Sequence, residues 1–358
     1  MFDFLSSIFS PRSYLGVDIG TTSIKIVEIE KGREKPELKN YGILESHGHL
    51  ERVNDAIYTS SLKMADKETA ELLKIILSSS KFKTKNAVAS IPSFSSFITF
   101  MEVPQMPAAD TAKALQFQIR QHIPLPSSDV AIDWLKIGEK EDQRGFIRQQ
   151  IILIAVPNEQ LFKYREIFKL AGLRLMALEV ESLSIVRSLV AGDQTPTLLV
   201  DIGGRSTSIM IVDKGTLRHG SHTDFAGASL TQAIANGLQI NVRRAEDLKR
   251  RKGLVAKGGE YELSTLTSFY LDAIINEVKR AKEIAENNQE IKLERIILAG
   301  GGANLPGIGQ YFESQIGLPT VIGNSFLTLK YPDKIEPIAK ELGSTLGVAI
   351  GLGIREFV

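Results

Sequence analysis

The chain has no cysteine, one tryptophan, five histidines and no apolar run approaching the roughly 20 residues a membrane span requires. Without cysteine there is neither a disulfide framework nor a thiolate metal site. The histidines, at 47, 49, 122, 219 and 222, have no helical spacing around an acidic partner, so no histidine-based metal site is expected. Trp134, flanked by Ile132 and Leu135, is expected to pack rather than to stack on a ligand. Charge of one sign is also missing. Lys and Arg number 43 against 42 Asp and Glu, a net charge of +1 that offers no global attraction to nucleic acid. The most apolar stretch, 338–357, is interrupted by Lys340, Glu341 and several glycines. Residues 1–11 carry neither a basic leader nor the length of a signal peptide; Phe2, Leu5, Ile8 and Phe9 share one helical face that suits contact with a membrane or a partner, the alternative being a short arm that folds back on the first lobe or stays mobile.

What is present is an ordinary balance for a globular chain of 358 residues, 43% apolar and 24% charged, too long for one core and therefore expected to form two lobes. One repeat organises it. Leu15-Gly-Val-Asp18-Ile-Gly20-Thr21-Thr22-Ser23-Ile-Lys25 returns 183 residues later as Leu198-Leu-Val-Asp201-Ile-Gly203-Gly204-Arg205-Ser206-Thr207. Each copy carries an Asp to the end of a β-branched run, reverses at glycine and hydroxyl residues, and runs back as a second strand. Backbone N–H groups at such turns converge on phosphate oxygens, Thr and Ser hydroxyls add donors, and the Asp suits the water shell of Mg²⁺. Two such hairpins suit the two sides of one nucleotide. A third element, a strand ending in Gly300, Gly301, Gly302 and Ala303 before Asn304 and Pro306, allows backbone to lie against a base or ribose.

Between these elements the periodicity predicts a strand over 35–50, a helix over 66–79, a buried strand over 86–91, and an alternating segment over 94–103 that ends at Pro104 and Pro107. There follow a helix over 108–122, two strands over 130–137 and 147–156, a helix over 161–171 and a strand over 173–178. The second lobe starts near Pro196, with helices over 230–237, 243–251 and 265–287. A closing helix over 339–354 is rich in small residues, so Gly343, Gly347, Ala349 and Gly351 admit a close neighbour.

The order of the three glycine elements resembles the actin-like ATPase superfamily, with its two phosphate loops and its adenosine loop. Within it the chain is most similar to the PilM family of type IV pilus assembly proteins, relatives of the division protein FtsA, over nearly its whole length. The specific stretches are 14–28, Ile91-Pro-Ser-Phe-Ser-Ser-Phe with Val103-Pro104, Phe117 to Pro124, Ala155 to Glu159, Asp224-Phe-Ala-Gly227 and Ala245-Glu246-Asp-Leu-Lys249. The resemblance implies an α/β actin-like ATPase fold: an arm (1–13), lobe one (14–99 and 151–194) interrupted by an inserted subdomain called 1C (100–150), lobe two (195–227 and 269–335) with an outer subdomain (228–268), and a terminal helix (336–358) returning to lobe one.

It also implies ATP and Mg²⁺ as ligands, with Asp18 and Asp201 facing the metal through water, Lys25 approaching the β- and γ-phosphates, and Glu181 orienting an attacking water with Asp201 beside it. Thr21, Thr22, Ser23, Ser206 and Thr207 would serve as phosphate donors, Glu246 and Lys249 as contacts to ribose and adenine, and Gly300 to Ala303 as the adenosine loop. Structural alternatives stand beside these roles: turn-capping for the two aspartates, strand alternation turning Lys25 outward, and a helix-start carboxylate in solvent for Glu181. The basic run 243–252 reads as a solvated face, the usual reading of such a run. Arg205 departs from the usual glycine-rich second loop, and Glu181-Ser182 from the usual Glu-Pro, so slow hydrolysis is expected. The partner implied is the cytoplasmic N-terminal peptide of a PilN-like membrane protein, held between the insertion and lobe one, together with other alignment-complex and motor proteins, self-association being possible. The expected placement is cytoplasmic, against the inner membrane through that partner. The alternatives are an FtsA-like filament, disfavoured by the lack of a basic amphipathic tail after residue 358, and a small-molecule kinase, disfavoured by the lack of a substrate motif.

Overall fold

The computed structural model describes residues 12–45, 62–123, 125–142, 144–255 and 261–358. Most of the N-terminal arm and the end of the strand expected over 35–50 lie outside the described residues. In chain order the first half comprises β1 (Ser13–Ile19), β2 (Ser23–Glu30), β3 (Glu37–Glu45), α1 (Leu62–Ser80), β4 (Asn86–Ile91), β5 (Phe97–Pro104), α2 (Ala108–His122), β6 (Val130–Glu141), β7 (Ile147–Pro157), α3 (Asn158–Leu170), β8 (Arg174–Val180) and α4 (Glu181–Val190). The second half comprises β9 (Thr197–Ile202), β10 (Thr207–Asp213), β11 (Thr216–Thr223), α5 (Gly227–Gly237), α6 (Val242–Lys252), α7 (Tyr261–Glu283), β12 (Arg295–Ala299), α8 (Ile308–Ile316), β13 (Thr320–Ile322), α9 (Ala339–Thr345) and α10 (Gly347–Ile354).

The sequence repeat is a repeat of sheets. One sheet has the order β3-β2-β1-β4-β8 and the other β11-β10-β9-β12-β13. In each, the three hairpin-linked strands are antiparallel and the last two join in parallel. The central strands β1 and β9 are buried along almost their whole length, as required when both faces are covered. On the outer faces, Leu15, Val17, Leu73 and Phe168 form one core with α1 and α3, and Leu198, Val200, Ile274 and Phe312 form another with α5, α7 and α8. Between the sheets lie α4 and α10, joined in one core by Val88, Val186, Leu199, Ile297 and Leu352.

Close approach in that middle layer depends on glycine. A Cβ on Gly351 would fall 1.8 Å from Ser184 O, and one on Gly16 would fall 1.9 Å from Ala349 O. Arg187 fastens the same layer, its guanidinium donating to both Glu179 oxygens at 2.6 and 2.7 Å and to Gly351 O at 2.9 Å. The single helix expected over 339–354 is instead two, since Leu346 (φ −93°, ψ 6°) leaves helical geometry between them. The bend lets α9 lie beside the glycine turn at 301–304 while α10 runs between the sheets. α4 starts at Glu181 directly after β8, which runs on to Val180, two residues past the end of the strand expected over 173–178.

The insertion is a three-stranded antiparallel sheet in the order β5-β7-β6. Strict alternation gives it two faces. Met101, Val103, Ile151, Leu153 and Trp134 form a core with Leu115 of α2, whereas Ile98, Phe100, Ile152, Ile154 and Ile137 join the central core. Trp134 is thus a packing residue, as expected. Because β5 and β7 are continuous, the boundaries drawn at 100 and 150 cut through both strands, and the sheet runs from 97 to 157. The insertion also touches lobe two: Arg218 Nη1 of β11 donates to Ile137 O and Gln150 Oε1, both at 3.2 Å, and the Phe100 and His219 rings lie 6.0 Å apart. Among the described residues no helix is long and apolar enough to cross a membrane.

Candidate functional site

The strand ends place the site. Ile19 pairs with Ile24 and Ile202 with Thr207, so both hairpins reverse over four residues, and in both the first glycine closes the turn: Gly20 N–H donates to Ser23 O and Gly203 N–H to Ser206 O, each at 3.0 Å. The tips, Thr21-Thr22 and Gly204-Arg205, meet across a cleft of about 830 Å³, within the range of small-molecule sites. Gly204 fits there because a Cβ would come 2.5 Å from Thr22 Oγ1.

Asp18, Gly20, Thr21, Thr22, Ser23, Lys25, Glu181, Asp201, Gly203, Gly204, Ser206, Glu246, Lys249, Gly300, Gly301, Gly302 and Ala303 all line this one cleft. Thr207 does not. Paired with Ile202, it faces away from Asp201, is fully buried, and donates its hydroxyl to Phe225 O at 2.7 Å. Its expected role as a phosphate donor is therefore corrected; the residue of β10 that faces the cleft is Ser208.

Three carboxylates converge. Asp18 is buried and doubly held, its Oδ2 accepting from Lys25 Nζ and its Oδ1 from Ser90 Oγ, both at 3.0 Å. Lys25, paired with Asp18 across the ladder, therefore points inward. Burial disfavours its charge, but Asp18, with Asp201 and Glu181, outweighs that and raises its pKa. Glu181 opens α4 and accepts from Ser93 N–H at 3.4 Å. Burial and the charges of Asp18 and Asp201 hold its pKa well above the usual carboxylate range, against the pull of Ser93 N–H and Lys25. Asp201 has its pKa pushed up to about 6, chiefly by burial, with Lys25 opposing and Asp18 adding to the shift.

The third glycine element follows β12. Gly300 (φ +78°) donates its N–H to Ser344 O at 2.9 Å, and a Cβ there would lie 2.4 Å from Asp201 Oδ1. A Cβ on Gly302 would strike Ile202, while one on Gly301 would meet nothing within 4 Å. The turn is therefore packed behind and open in front. On the lobe-two wall Lys249 Nζ donates to Glu246 Oε2 at 2.6 Å, Thr231 Oγ1 at 2.7 Å and Gly227 O at 3.0 Å. Burial lowers the Lys249 pKa despite the pull of Glu246. Arg250 bridges the lobes, donating to Glu246 Oε1 at 2.7 Å and Glu45 Oε1 at 3.2 Å. The basic run of α6 is thus partly structural.

Sequence reading missed Ser90, Ser93, Tyr270, Lys340 and Arg250 as members of the site. Ser93 lies in the Ile91-Pro-Ser-Phe stretch, so a signal existed. Tyr270 and Lys340 carried none, since only folding brings α7 and α9 to the cleft.

The donor set fits a hydrated divalent cation bound with phosphate. Among the described residues no group of three or more His, Cys, Asp or Glu forms a metal cage, but Mg²⁺ is ordinarily held by one or two carboxylates with waters and phosphate oxygens, and Asp18 and Asp201 supply that number. Asp201 accepts no side-chain hydrogen bond from another described residue and keeps an edge on the cleft.

Comparison with known proteins agrees with this architecture. Cell division protein FtsA of Enterococcus hirae is 24% identical over 347 residues, covering 85% of this chain and 76% of that protein. A chain of the PilM-PilN type IV pilus biogenesis complex superposes with a TM-score of 0.81 at 21% identity, covering 96% of this chain and 99% of that one. MreB5 of Spiroplasma citri bound to AMPPNP gives 0.53 at 16% identity, covering 96% and 95%. The fold is that of the actin-like ATPases. The family model described as type IV pilus assembly protein PilM matches residues 16–357, and the chain belongs to that family.

Proposed function

We propose that this protein is an ATP-binding scaffold of type IV pilus assembly, working on the cytoplasmic side of the membrane, whose insertion holds the N-terminal peptide of a PilN-like membrane protein and so links the alignment complex to the pilus motor. The observation that carries the nucleotide half is the convergence of two matching Asp–Gly hairpins and an open glycine turn on one cleft. Thr21, Thr22, Ser23, Gly203, Gly204 and Ser206 would bind phosphates, the 300–303 turn the adenosine, and Glu246 and Lys249 the ribose and adenine side. Asp18 and Asp201 would hold Mg²⁺ through water; when bound, that ion neutralises phosphate charge. Glu181, which can hold a proton because its charged form is disfavoured, would orient a water, and Asp201 would support it electrostatically. With Lys25 tied to Asp18, turnover is expected to be slow.

Family membership and the likeness to the chain of the PilM-PilN complex support the partner half. The insertion offers edges: β5 and β6 are both outer strands, suited to an extended peptide. The flanking aromatics differ in use, because Phe94 lines the nucleotide cleft and Phe97 belongs to the insertion core, while the Phe117 side chain lies outside the described set. One experiment tests both halves. ATP with Mg²⁺ should raise the melting temperature, the gain being about 2.7 kcal/mol at a hundredfold excess over Kd. A peptide of about ten residues from a PilN-like protein should bind the parent and fail to bind a variant lacking 97–157, an extended-segment interaction. That deletion is practicable because Phe97 pairs with Ala155, leaving the cut ends side by side. Unchanged melting at millimolar ATP refutes the cleft assignment, and a folded deletion variant that still binds the peptide refutes the partner site.

A further inference from the structure

Five cationic side chains line the cleft: Lys25, Arg205, Lys249, Arg250 and Lys340. Three have carboxylate partners, Lys25 with Asp18, Lys249 with Glu246, and Arg250 with Glu246 and Glu45. Lys340 belongs to α9, which packs against the glycine turn at 301–304. Arg205 stands at the tip of the second hairpin. It makes no hydrogen bond or ion pair with another described residue, and its guanidinium lies over the Phe94 ring, 4.5 Å from the centroid.

The charge around the hairpins is one-sided, since Asp18, Glu181 and Asp201 bring three carboxylates against the single ammonium of Lys25. A ligand adding a further phosphate to that end needs further positive charge. The equivalent tip position in the first hairpin holds Thr22, too short to supply it. Arg205 has the reach, a permanent charge and a planar fork of donors that matches phosphate oxygens. Charge-assisted hydrogen bonds from a guanidinium to phosphate are stronger than an exposed contact with an aromatic face.

Resting on the reading of this cleft as a nucleotide site, we infer that Arg205 is the specificity-determining residue that tells a nucleoside triphosphate from a diphosphate. It rests on Phe94 when the cleft is empty or holds a diphosphate, and it transfers to the terminal phosphate oxygens when a triphosphate enters. No covalent step is involved. Phe94 is the resting place; replacing it removes a competitor for the guanidinium without touching the phosphate loops.

The test is calorimetric titration of AMPPNP and of ADP, each with Mg²⁺, into the parent, R205A, R205K and F94L proteins. Melting curves of the ligand-free variants establish that each is folded. R205A should weaken AMPPNP about tenfold while leaving ADP within about twofold, and R205K should recover part of the loss. F94L should strengthen AMPPNP about two- to fivefold relative to ADP, the factor expected from releasing an exposed cation–π contact. Equal weakening of both nucleotides by R205A, or weaker AMPPNP binding by F94L, overturns the assignment. A parent that binds ADP and AMPPNP equally overturns it too, whereas a parent that binds neither refutes the nucleotide reading on which it rests.

Discussion

The two Asp–Gly hairpins share a backbone and differ in charge. In both, an Asp sits one residue before the end of the first strand, a glycine closes the turn, and the register is the same. The residue facing the Asp across the ladder is Lys25 in the first and Ser208 in the second. Asp18 is consequently held by an ammonium and a hydroxyl. Asp201 faces a hydroxyl that donates instead to Ser93 Oγ, at 3.4 Å, and its carboxyl is pushed up to about 6 by burial. One hairpin carries its countercharge in its own sequence; the other leaves a carboxylate without a side-chain donor among the described residues. Duplicated local structure therefore does not imply duplicated electrostatics, because a single cross-strand neighbour decides it.

The largest expected effect comes from breaking the first hairpin. Lys25→Ala strands Asp18 beside Asp201 and Glu181, and removing one partner of a buried pair costs about 3–5 kcal/mol, measurable by denaturant unfolding. A loss below 1 kcal/mol would show that the pair is not the countercharge of the site. In the second hairpin the sign reverses. Asp201→Asn should stabilise the ligand-free protein at neutral pH, by an upper bound on the order of 3 kcal/mol for a carboxyl moved from its ordinary value to about 6. The same substitution should remove the stability gain from ATP with Mg²⁺. Its pH signature is specific. Between about pH 4 and 6 the folded state retains a proton that the unfolded chain has released, so parent stability falls as pH rises through this window, and Asp201→Asn should lack that component. Asp18→Asn should instead destabilise, and equal signs for the two would break the comparison.

Smaller effects sharpen it. Glu181→Gln should slow turnover with ATP affinity nearly unchanged and raise the melting temperature of the ligand-free protein, since its carboxylate is disfavoured by burial and by both aspartates. A fall in affinity equal to the fall in turnover would place Glu181 in binding rather than in water positioning. Ser182 is buried and its hydroxyl has no hydrogen-bond partner among the described residues, so Ser182→Ala should be neutral or stabilising by up to about 1 kcal/mol. A loss larger than that would reveal a partner for this hydroxyl at the start of α4.

Much of the lining of the cleft was legible because its glycines and hydroxyls act locally. The error at Thr207 is instructive, since hairpin register alone pairs it with Ile202 and turns it away from Asp201. Lys25 was undecidable from alternation, for either face of β2 could be the covered one. Lys249 lines the cleft together with Glu246, but its ammonium is engaged by Glu246, Thr231 and Gly227, groups spread over 20 residues of chain that include the two ends of α5's first turn. The insertion was recognised from two long strands, while its limits were drawn too short because a continuous strand has no compositional edge where it leaves the core of lobe one.

The sequence by itself determined the two Asp–Gly hairpins, the glycine turn at 300–302, the alternating insertion and the small-residue helix near the C-terminus. These rest on turn chemistry and hydrophobic period, which act within a few residues. Only the tertiary structure decided that Lys25 makes its ion pair with Asp18 and not with Asp201, that Arg205 lies over Phe94, that Arg218 ties lobe two to the insertion, and that Leu346 bends the final helix. Each of those outcomes depends on which sheet face is covered and by what, and burial set by residues distant in the chain has no local signature.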